Sequence, residues 1–353
     1  MHSYRIGAVA IAAAAALALA GCSTPSESGG DDTEAGSVVL LIPGTTGDGG
    51  FFDQADAGVR EGAEAAGWSA QVVEAGYEPT KWEPALTDLA SGGSDVIITG
   101  SFAMIELVSQ ASLAYPDKKF VLFDAEPSAD ICGDCANVYA ITYNYLETGF
   151  LAGALAGLVE TAEGVDRIAG TGVVGVVGGQ EIPVIQDYIA GYELGVKTVA
   201  PEVQVLSAYA GSFADPVKGK AVADDMVQQG AEILFTAAGS TDKGVFEAAA
   251  ANNVWALGNA AAQANDASSV NGVEAVLTSS DTNVQTSLAD AVALAAKGEL
   301  PVGESRLFGV KEGTNSIIES ANYSSVVPQE IRDQLAALVQ DIKDGKYDAQ
   351  LSK

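Results

Sequence analysis

The sequence predicts an α/β protein with two doubly wound lobes of parallel strands, joined by a multi-strand hinge. Three observations predict this fold. From residue 37 onward, short runs rich in Val, Ile and Leu alternate with stretches of helical length. Such continuous apolar runs are typical of strands buried on both faces of a parallel sheet. The alternation breaks near residues 143–145 and then begins again, and 353 residues suffice for two ordinary domains.

The elements of the first lobe follow in order from residue 37. SVVLLIP, AQVVEA, DVIITG and KFVLFDA are bounded by polar or glycine residues, so each predicts a buried strand. The helices between these strands are predicted over residues 54–67, from Trp82 onward and over residues 103–115. VYAITYN, residues 138–144, predicts the last strand of this lobe.

The next predicted helix, YLETGFLAGALAGLVE, carries small residues at a regular spacing. Gly149, Gly153 and Gly157 recur every four positions. Residues four apart lie on one face of a helix, and glycine allows another backbone to approach closely. We therefore expect this helix to pack tightly against a neighbour.

The second lobe repeats the pattern. Strands are predicted at IAGTGVVGVVGG, VQVLSAYA, ILFTAAG, WALGNA and VEAVLTS. The predicted helices that separate or follow them span residues 184–198, 216–229, 243–253, 282–297 and 329–344. Helices alternating with buried strands are the signature of a doubly wound fold.

The chain is predicted to cross between the lobes three times. The crossings are expected at residues 143–145, at 278–281 and within RLFGVKEGTNSIIES. Residues 37–143 and 280–304 then form lobe 1, and residues 144–279 and 305–353 form lobe 2. Several short crossings make a hinge with a cleft beside it, and ligands of open α/β sheets bind beyond the carboxyl ends of the strands.

The N-terminal residues predict export and a lipid anchor. An apolar stretch follows MHSYR, and LAGC, residues 19–22, matches the bacterial lipobox. Residues 1–21 are therefore predicted to be a lipoprotein signal peptide, with Cys22 as the lipidated residue; the alternative is a plain signal peptide. Residues 22–36 are polar and glycine- and serine-rich, as in a flexible tether. We expect the protein on the extracytoplasmic face of the cell membrane.

Composition excludes several function classes. The formal net charge of −30 repels nucleic acid and anionic membrane surfaces, so no nucleic-acid partner is expected. The single histidine, His2, lies in the predicted signal peptide. Its removal excludes Ser-His-Asp and Cys-His catalysis and histidine metal sites from the mature chain. We expect no cofactor and no metal.

Cys132 and Cys135 form a CxxC motif in the loop PSADICGDCANV. In thioredoxin-like proteins this motif opens a helix after a strand, and here it lies within a loop. In an exported protein we expect a local structural disulfide. A thiol redox site is the alternative.

The turn after the first strand is rich in glycine but does not predict a phosphate loop. A Walker A loop needs GxxxxGK[ST], and no Lys or Arg occurs between Val38 and Val59. The dinucleotide spacing GxGxxG is also missing, and Asp48 and Asp53 would repel a phosphate. Glycines beside phenylalanines and carboxylates suit a neutral or cationic ligand with a flat face and hydroxyl or amine groups.

Similar side chains follow the other predicted strands. An Asp directly after a strand can cap the following helix and not contact a ligand. A Phe at such a position can belong to the hydrophobic core and not to a binding site. Together, acidic and aromatic groups at one cleft predict a small-molecule site. The predicted ligand-binding residues are Asp48, Phe51, Phe52, Asp53, Asp124, Asn144, Phe213, Asp215, Gly239 and Asn259.

At these residues the sequence resembles the basic membrane protein family, the purine nucleoside receptor-like lipoproteins of ABC importers. GDGGFFDQADAG lies at the family pattern D-x-S-F-N-x-x-x-x-x-G, VLFDAE resembles the family strand that ends in Asp, and YNYLETGFLAGALAG resembles its FLAG segment. YAGSFADPVKGK carries the most specific similarity. The resemblance implies a type 1 periplasmic-binding-protein fold in which the ligand base stacks between aromatic rings and carboxylates bind ribose or base. The matching residues here are Asp48, Phe51, Asp124, Phe213 and Gly239.

The sequence departs from the family pattern at three positions. Phe52 stands where the family has Asn, Ala260 where it has the ribose-binding Asp, and Thr282 where it has Lys. Losing a paired hydrogen bond to a buried ligand group costs on the order of 1–3 kcal/mol. The departures therefore bear on the identity of the ligand more than on family membership.

We predict a solute-binding protein, not an enzyme, that closes around a small molecule and delivers it to an ABC permease in the membrane. A nucleoside or nucleobase is the predicted ligand; a sugar or polyol is the alternative, because stacking plus carboxylates also suits pyranose rings. A sensor that signals its ligand state to a membrane partner is a second alternative. The third is an exported enzyme, either a hydrolase using Asp48 and Asp124 or a thiol oxidoreductase using Cys132 and Cys135.

Overall fold

A computed structural model describes residues 36–47, 49–265, 269–270 and 273–352. The predicted signal peptide, Cys22, almost all of the tether and Asp48 lie outside the described residues.

The first sheet has six strands, all paired in parallel, in the spatial order β13-β5-β4-β3-β1-β2. Its strands are β1 (Ser37–Ile42), β2 (Ser69–Glu74), β3 (Val96–Gly100), β4 (Lys119–Phe123), β5 (Val138–Tyr143) and β13 (Ser305–Phe308). The helices in the first part of the chain are α1 (Phe51–Ala66), α2 (Trp82–Ser91), α3 (Ile105–Ala114) and the short α4 (Ala129–Cys132).

The second sheet has the order β14-β12-β9-β8-β6-β7, and only β14 is antiparallel to its neighbour. Its strands are β6 (Val173–Gly178), β7 (Gln204–Tyr209), β8 (Ile233–Ala237), β9 (Trp255–Gly258), β12 (Val276–Asp281) and β14 (Ser316–Ile317). A separate two-stranded ribbon joins β10 (Ser269–Val270) to β11 (Val273–Glu274).

The remaining helices begin with α5 (Tyr145–Glu160), α6 (Pro183–Val199), α7 (Pro216–Gln228) and α8 (Asp242–Asn252). They continue with α9 (Val284–Ala296), α10 (Ala321–Val326), α11 (Gln329–Lys343) and α12 (Asp348–Leu351). The predicted fold class is confirmed, because two mainly parallel sheets lie in succession with helices packed on them. We use "first lobe" and "second lobe" for these two sheets with their helices.

The structure corrects the position of the second crossing and the lobe boundary at residue 305, and it leaves the third crossing within its predicted segment. β12 pairs within the second sheet as far as Asp281, so the second crossing begins at Thr282 and not within residues 278–281. β13 pairs with β5, so residues 305–308 belong to the first sheet and not to lobe 2. The third crossing therefore follows Phe308. The alternation of apolar runs with helical stretches could not locate the ends of the lobes, because strand pairing depends on residues far away in the chain.

The glycine spacing in α5 produces the expected close helix packing. An added Cβ at Gly149 or Gly153 would lie within 3.0 Å of backbone atoms of Tyr188 or Tyr192 on α6. Gly191 and Gly195 of α6 approach α5 in the same way. No side chain can separate the two backbones at these points, so the crossing of α5 and α6 is set by glycine. In the described part of the chain, no helix is long and apolar enough to cross a bilayer.

Candidate functional site

The loop after β1 is organised by Asp53. Its carboxylate accepts hydrogen bonds from the backbone N–H groups of Gly47 (2.9 Å) and Gly49 (2.8 Å). Helix α1 begins at Phe51, three residues before the predicted start, so Asp53 lies in its first turn and faces back into the loop. An internal carboxylate thus occupies amide groups that a phosphate would need in a phosphate loop. We therefore assign Asp53 a role in loop order, and its direct contact with a ligand stays a prediction.

The two phenylalanines at the start of α1 have different surroundings. The ring of Phe51 lies 5.3 Å from the ring of Phe123 at the end of β4, and 5.2 Å from the ring of Phe52. Phe52 packs against Gly44, where an added Cβ would lie within 3.0 Å of its ring. Both rings are partly buried, and the contact with Phe123, the last residue of β4, places Phe51 at the carboxyl end of the first sheet.

Asp124 connects the first lobe to the start of α5. It follows β4 with a left-handed backbone (φ 63°), and its N–H donates to the carbonyl of Ile141 (2.7 Å). The hydroxyl of Tyr145 donates a hydrogen bond to the Asp124 carboxylate. A left-handed conformation is uncommon for a residue other than glycine, and residues with such a backbone are often found at functional sites.

The ring of Tyr145 packs on Tyr188 of α6, with centroids 4.7 Å apart. The Tyr188 hydroxyl lies 3.2 Å from the hydroxyl of Thr282, which in turn lies 3.2 Å from the hydroxyl of Thr148. We call Asp124, Tyr145, Tyr188 and Thr282 the tyrosine cluster. It joins the end of β4, the helices α5 and α6, and the second crossing.

The negative charges of carboxylates from both lobes raise the pKa of Tyr188. Burial raises the pKa of Tyr188 well above its ordinary value, the hydrogen bond with Thr282 lowers it, and the charges of Asp124, Asp281 and Asp242 raise it further. Burial also raises the pKa of Tyr145, and the charge of Asp124 adds to this rise. Both tyrosines are therefore neutral at physiological pH, where each hydroxyl can donate one hydrogen bond and accept others.

Phe213 forms the aromatic part of the site on the second lobe. Gly179, which follows β6, has no side chain, and an added Cβ there would lie within 3.0 Å of the Phe213 ring. Gly239, which follows β8, has a positive φ of 60°, and an added Cβ would lie 3.0 Å from the Phe213 carbonyl oxygen. These glycines let the ring lie directly on the carboxyl ends of two neighbouring strands.

Asn259 belongs to a buried network below the strand ends. Its Nδ2 donates to the carbonyl of Thr236 (2.7 Å) and to the carboxylate of Asp242 (3.1 Å). The Asp242 carboxylate also accepts a hydrogen bond from Nε2 of Gln263 (3.0 Å), and Oε1 of Gln263 accepts the N–H of Asn259 (2.9 Å). The amide nitrogen of Asn259 therefore supports the loop after β9, and direct ligand binding by this residue stays a prediction.

Two other predicted ligand residues cap helices. Asp215 accepts the N–H of Lys218 (3.2 Å) at the start of α7, which is the alternative role open to an Asp after a strand. Asn144 caps α5, and its Nδ2 donates to the carbonyl of Leu351 (2.8 Å). Its side chain is buried among hinge and C-terminal groups, and its direct contact with a ligand stays a prediction.

The three residues that differ from the family pattern lie in different surroundings. Ala260 is buried and lies in the loop after β9. Thr282 is buried in the tyrosine cluster, where its hydroxyl contacts Thr148 and Tyr188. Phe52 packs on Gly44. None of these side chains supplies the charged or amide group that the family pattern has at its position.

The lobes contact each other at the mouth of the cleft. Nζ of Lys243, in the first turn of α8, donates to the carbonyl of Gly47 in the loop after β1 (3.2 Å). Beside it, an added Cβ at Gly49 would lie 3.4 Å from Cβ of Ala262. These contacts between opposite strand ends describe a closed arrangement of the lobes.

The sulfurs of Cys132 and Cys135 lie at bonding distance, with Cα atoms 5.0 Å apart, in the range of protein disulfides. Both cysteines are buried against the first-lobe core, and their oxidation in solution stays a prediction. Across the described ranges, no group of three or more His, Cys, Asp or Glu side chains could hold a metal ion.

Sequence reasoning missed four polar residues near the cleft: Tyr145, Tyr188, Gln54 and Asp281. Tyr145 and Asp281 do follow predicted strands, so their position was a usable signal. Tyr188 and Gln54 lie within predicted helices, and nothing in the local pattern separates them from other helical residues.

Comparison with known proteins identifies the family. Residues 35–345 match the model of the Bmp family, described as ABC transporter substrate-binding protein PnrA-like. The chain belongs to this family. PnrA-like proteins are substrate-binding proteins of ABC transporters and not enzymes, so both of these predictions are confirmed.

Two relatives and one solved structure illustrate the similarity of this PnrA-like chain. It is 29% identical to an ABC transporter nucleoside-binding protein, BmpA, of Lactococcus lactis subsp. cremoris, over 69% of this chain and 68% of the relative. It is 29% identical to an uncharacterized lipoprotein of Pyrococcus abyssi, over 67% of this chain and 58% of the relative. A solute-binding protein of an ABC transporter system from Aeropyrum pernix K1 shares the fold, with a TM-score of 0.76, 23% identity, and coverage of 88% of this chain and 92% of that one.

Proposed function

We propose that this PnrA-like protein is lipid-anchored at Cys22 on the extracytoplasmic face of the cell membrane. It captures a nucleoside or nucleobase between its lobes and delivers the ligand to the permease of an ABC importer. The observation that carries the proposal is the tyrosine cluster, in which groups from both lobes meet. The ring of Tyr188 lies 4.7 Å from the ring of Tyr145, whose hydroxyl donates to Asp124 of the first lobe. The Tyr188 hydroxyl lies 3.2 Å from that of Thr282, which follows β12 of the second lobe.

The chemistry of these groups suits a flat ligand that carries hydrogen-bond donors. Phe51 and Phe213 offer aromatic faces at the carboxyl ends of the two sheets, and stacked aromatic contacts add about 0.5–1.5 kcal/mol beyond area burial. Carboxylates such as Asp48 and Asp124 accept hydrogen bonds from hydroxyl or amine groups. Closure excludes water and strengthens these hydrogen bonds.

Similarity to two relatives supports the proposed ligand and the proposed lipid anchor. The Lactococcus relative is described as nucleoside-binding, and the Pyrococcus relative is described as a lipoprotein. The lipobox LAGC gives Cys22 the setting that lipidation requires. The role of the family in ABC transport supports import through a permease.

A thermal-shift panel tests the ligand. The chain from Ser23 onward, which contains every described residue, is denatured and refolded to remove carried ligand. It is then heated with purine and pyrimidine nucleosides, nucleobases, sugars and polyols. A ligand at 100 times its dissociation constant adds about 2.7 kcal/mol to the free energy of unfolding, which raises Tm by several degrees. We expect a nucleoside or nucleobase to give the largest shift.

A sugar or polyol is the second candidate, and Ala260 and Thr282 favour it. Ala260 removes the carboxylate, and Thr282 the cation, that the family has for its nucleosides, while Thr282 adds a hydroxyl beside that of Tyr188. A Tm shift with sugars and none with nucleosides or nucleobases would reject the nucleoside proposal. That result would leave the family and the binding function unchanged.

A further inference from the structure

Gln54 joins the first helix to the second crossing between the lobes. Its Nε2 donates to Oδ1 of Asp281 at the end of β12 (2.8 Å), and its Oε1 accepts the N–H of Val284 at the start of α9 (2.9 Å). Gln54 follows Phe51 by three positions in the first turns of α1. Its two hydrogen bonds therefore fix the end of the helix that carries Phe51.

Asp281 collects hydrogen bonds from three segments. The same Oδ1 accepts the N–H of Ala261 in the loop after β9 (3.1 Å), and the carboxylate also receives backbone N–H groups of Thr282 and Asn283. The side chain is buried. One carboxylate thus holds the start of α1, the loop that contains Asn259, and the crossing itself.

The electrostatic setting of Asp281 is defined by these donors. Burial raises its pKa, and the hydrogen bonds from Gln54, Ala261, Asn283 and Thr282 lower it. The charge of Asp281 raises the pKa of Tyr188 on α6. Burial outweighs these donors, so the pKa of Asp281 lies above its ordinary value, and a second carboxylate in place of a donor would raise this pKa further.

We propose that Gln54 and Asp281 are a positioning pair that sets the angle at which the two lobes close. The pair acts through Phe51 and the loop after β9 and does not itself contact the ligand. Its effect on lobe geometry is independent of the ligand, whereas its effect on affinity rests on the proposed function.

The substitution Gln54→Glu tests the pair, because it changes one donor into an acceptor. The new carboxylate keeps the hydrogen bond from Val284 and faces Asp281 with a like charge at pH 8. At pH 5 a proton shared between the two buried carboxyls restores the hydrogen bond. Gln285→Glu is a matched control: Nε2 of Gln285 donates to Oε2 of Glu61 (2.8 Å) between α9 and α1, at an exposed site.

Lobe geometry is measured without ligand from spin labels on Phe102→Cys and Val217→Cys. Both residues are exposed (48% and 79%), and they lie near the carboxyl ends of the first and second sheets. In the Gln54→Glu protein we expect the distance distribution to widen at pH 8 and to match that of the unsubstituted labelled protein at pH 5. Gln54→Ala, which removes both hydrogen bonds without adding charge, should widen it at both pH values. A distribution that neither substitution alters contradicts the pair.

Affinity is measured with adenosine as the probe. The Gln54→Glu substitution should raise the Kd by about 100-fold at pH 8 and by less than about threefold at pH 5, whereas Gln285→Glu should leave it unchanged. Unchanged affinity at both pH values overturns the positioning role in binding. If adenosine fails to bind the unsubstituted protein while the labels still report pH-dependent widening, the pair stands and the proposed ligand class needs revision.

Discussion

Glu160, the last residue of α5, shows how burial of one side chain can make the whole protein sensitive to pH. Its Oε1 accepts the N–H of Gly172 (2.7 Å), and its Oε2 has no hydrogen-bond partner among the described residues. Burial, reinforced by the nearby charge of Glu232, raises the pKa of Glu160 to about 7. Glu232 in turn accepts N–H groups of Ala169 and Gly170, so the two carboxyls hold one loop.

This pKa predicts a pH-dependent free energy of unfolding. Between the ordinary value of 4.5 and about 7, the folded protein binds more protons at Glu160 than the unfolded chain does. The stabilisation that protonated Glu160 gives the folded protein is therefore fully present below pH 4.5 and is lost as pH rises to about 7. Above pH 7 the free energy of unfolding no longer changes through this group. Between pH 5 and 8 we expect the wild type to lose about 2 kcal/mol more than Glu160→Gln does. Urea titrations at several pH values measure this difference.

The control for this measurement is Glu163→Gln, which changes an exposed carboxyl three residues further along the chain. Its pH profile should follow that of the wild type. Equal profiles for Glu160→Gln and the wild type would mean that Glu160 has an ordinary pKa in the folded protein.

Among the elements, the pair of helices α5 and α6 links packing to the site. The glycines of both helices bring their backbones together, and Tyr145 and Tyr188 lie on these helices in the tyrosine cluster. The same close approach through glycine recurs where α1 meets α9 and where α7 meets α8. The glycine spacing in α5 predicted a close neighbour, but it could not predict that the neighbour would be the helix carrying Tyr188.

Gly153→Ala should destabilise the protein. The added methyl group would overlap the backbone of Tyr192, so the helices must separate, and overpacking of this kind costs about 1–3 kcal/mol or more. Gly93→Ala is the matched control, because nothing lies within 4 Å of an added Cβ there and its φ is not positive. Thermal unfolding measures both. A Gly153→Ala protein as stable as the Gly93→Ala protein would contradict the close crossing.

At the scale of the whole molecule, closure joins groups that are far apart in the sequence. Lys243 of the second lobe contacts Gly47 of the first across 196 positions, and Gln54 contacts Asp281 across 227. With a formal charge of −30, a lysine at the cleft mouth is one of few cations available for such a contact. The closed arrangement therefore depends on a small number of specific hydrogen bonds.

Lys243→Gln should favour opening of the lobes. Loss of one exposed hydrogen bond to a carbonyl costs about 0.5–1.5 kcal/mol, so the Kd of the bound ligand should rise about 3- to 10-fold, and the radius of gyration in X-ray scattering should increase. Lys197→Gln, at an exposed position on α6, should change neither quantity. An unchanged radius of gyration and Kd for Lys243→Gln would show that the contact with Gly47 does not hold the lobes closed.

The fold class, the family and the absence of a phosphate loop could all be predicted from the order of the amino acids. These conclusions rest on local properties: apolar runs, the residues that follow them, and the lack of a cation near the first turn. Tertiary structure alone decided that Asp53 orders its own loop, that Asn144 supports the hinge, and that Tyr188 and Gln54 lie near the cleft. The reason is physical. A side chain's partners depend on strand order and helix crossing, which bring together residues that no local pattern relates.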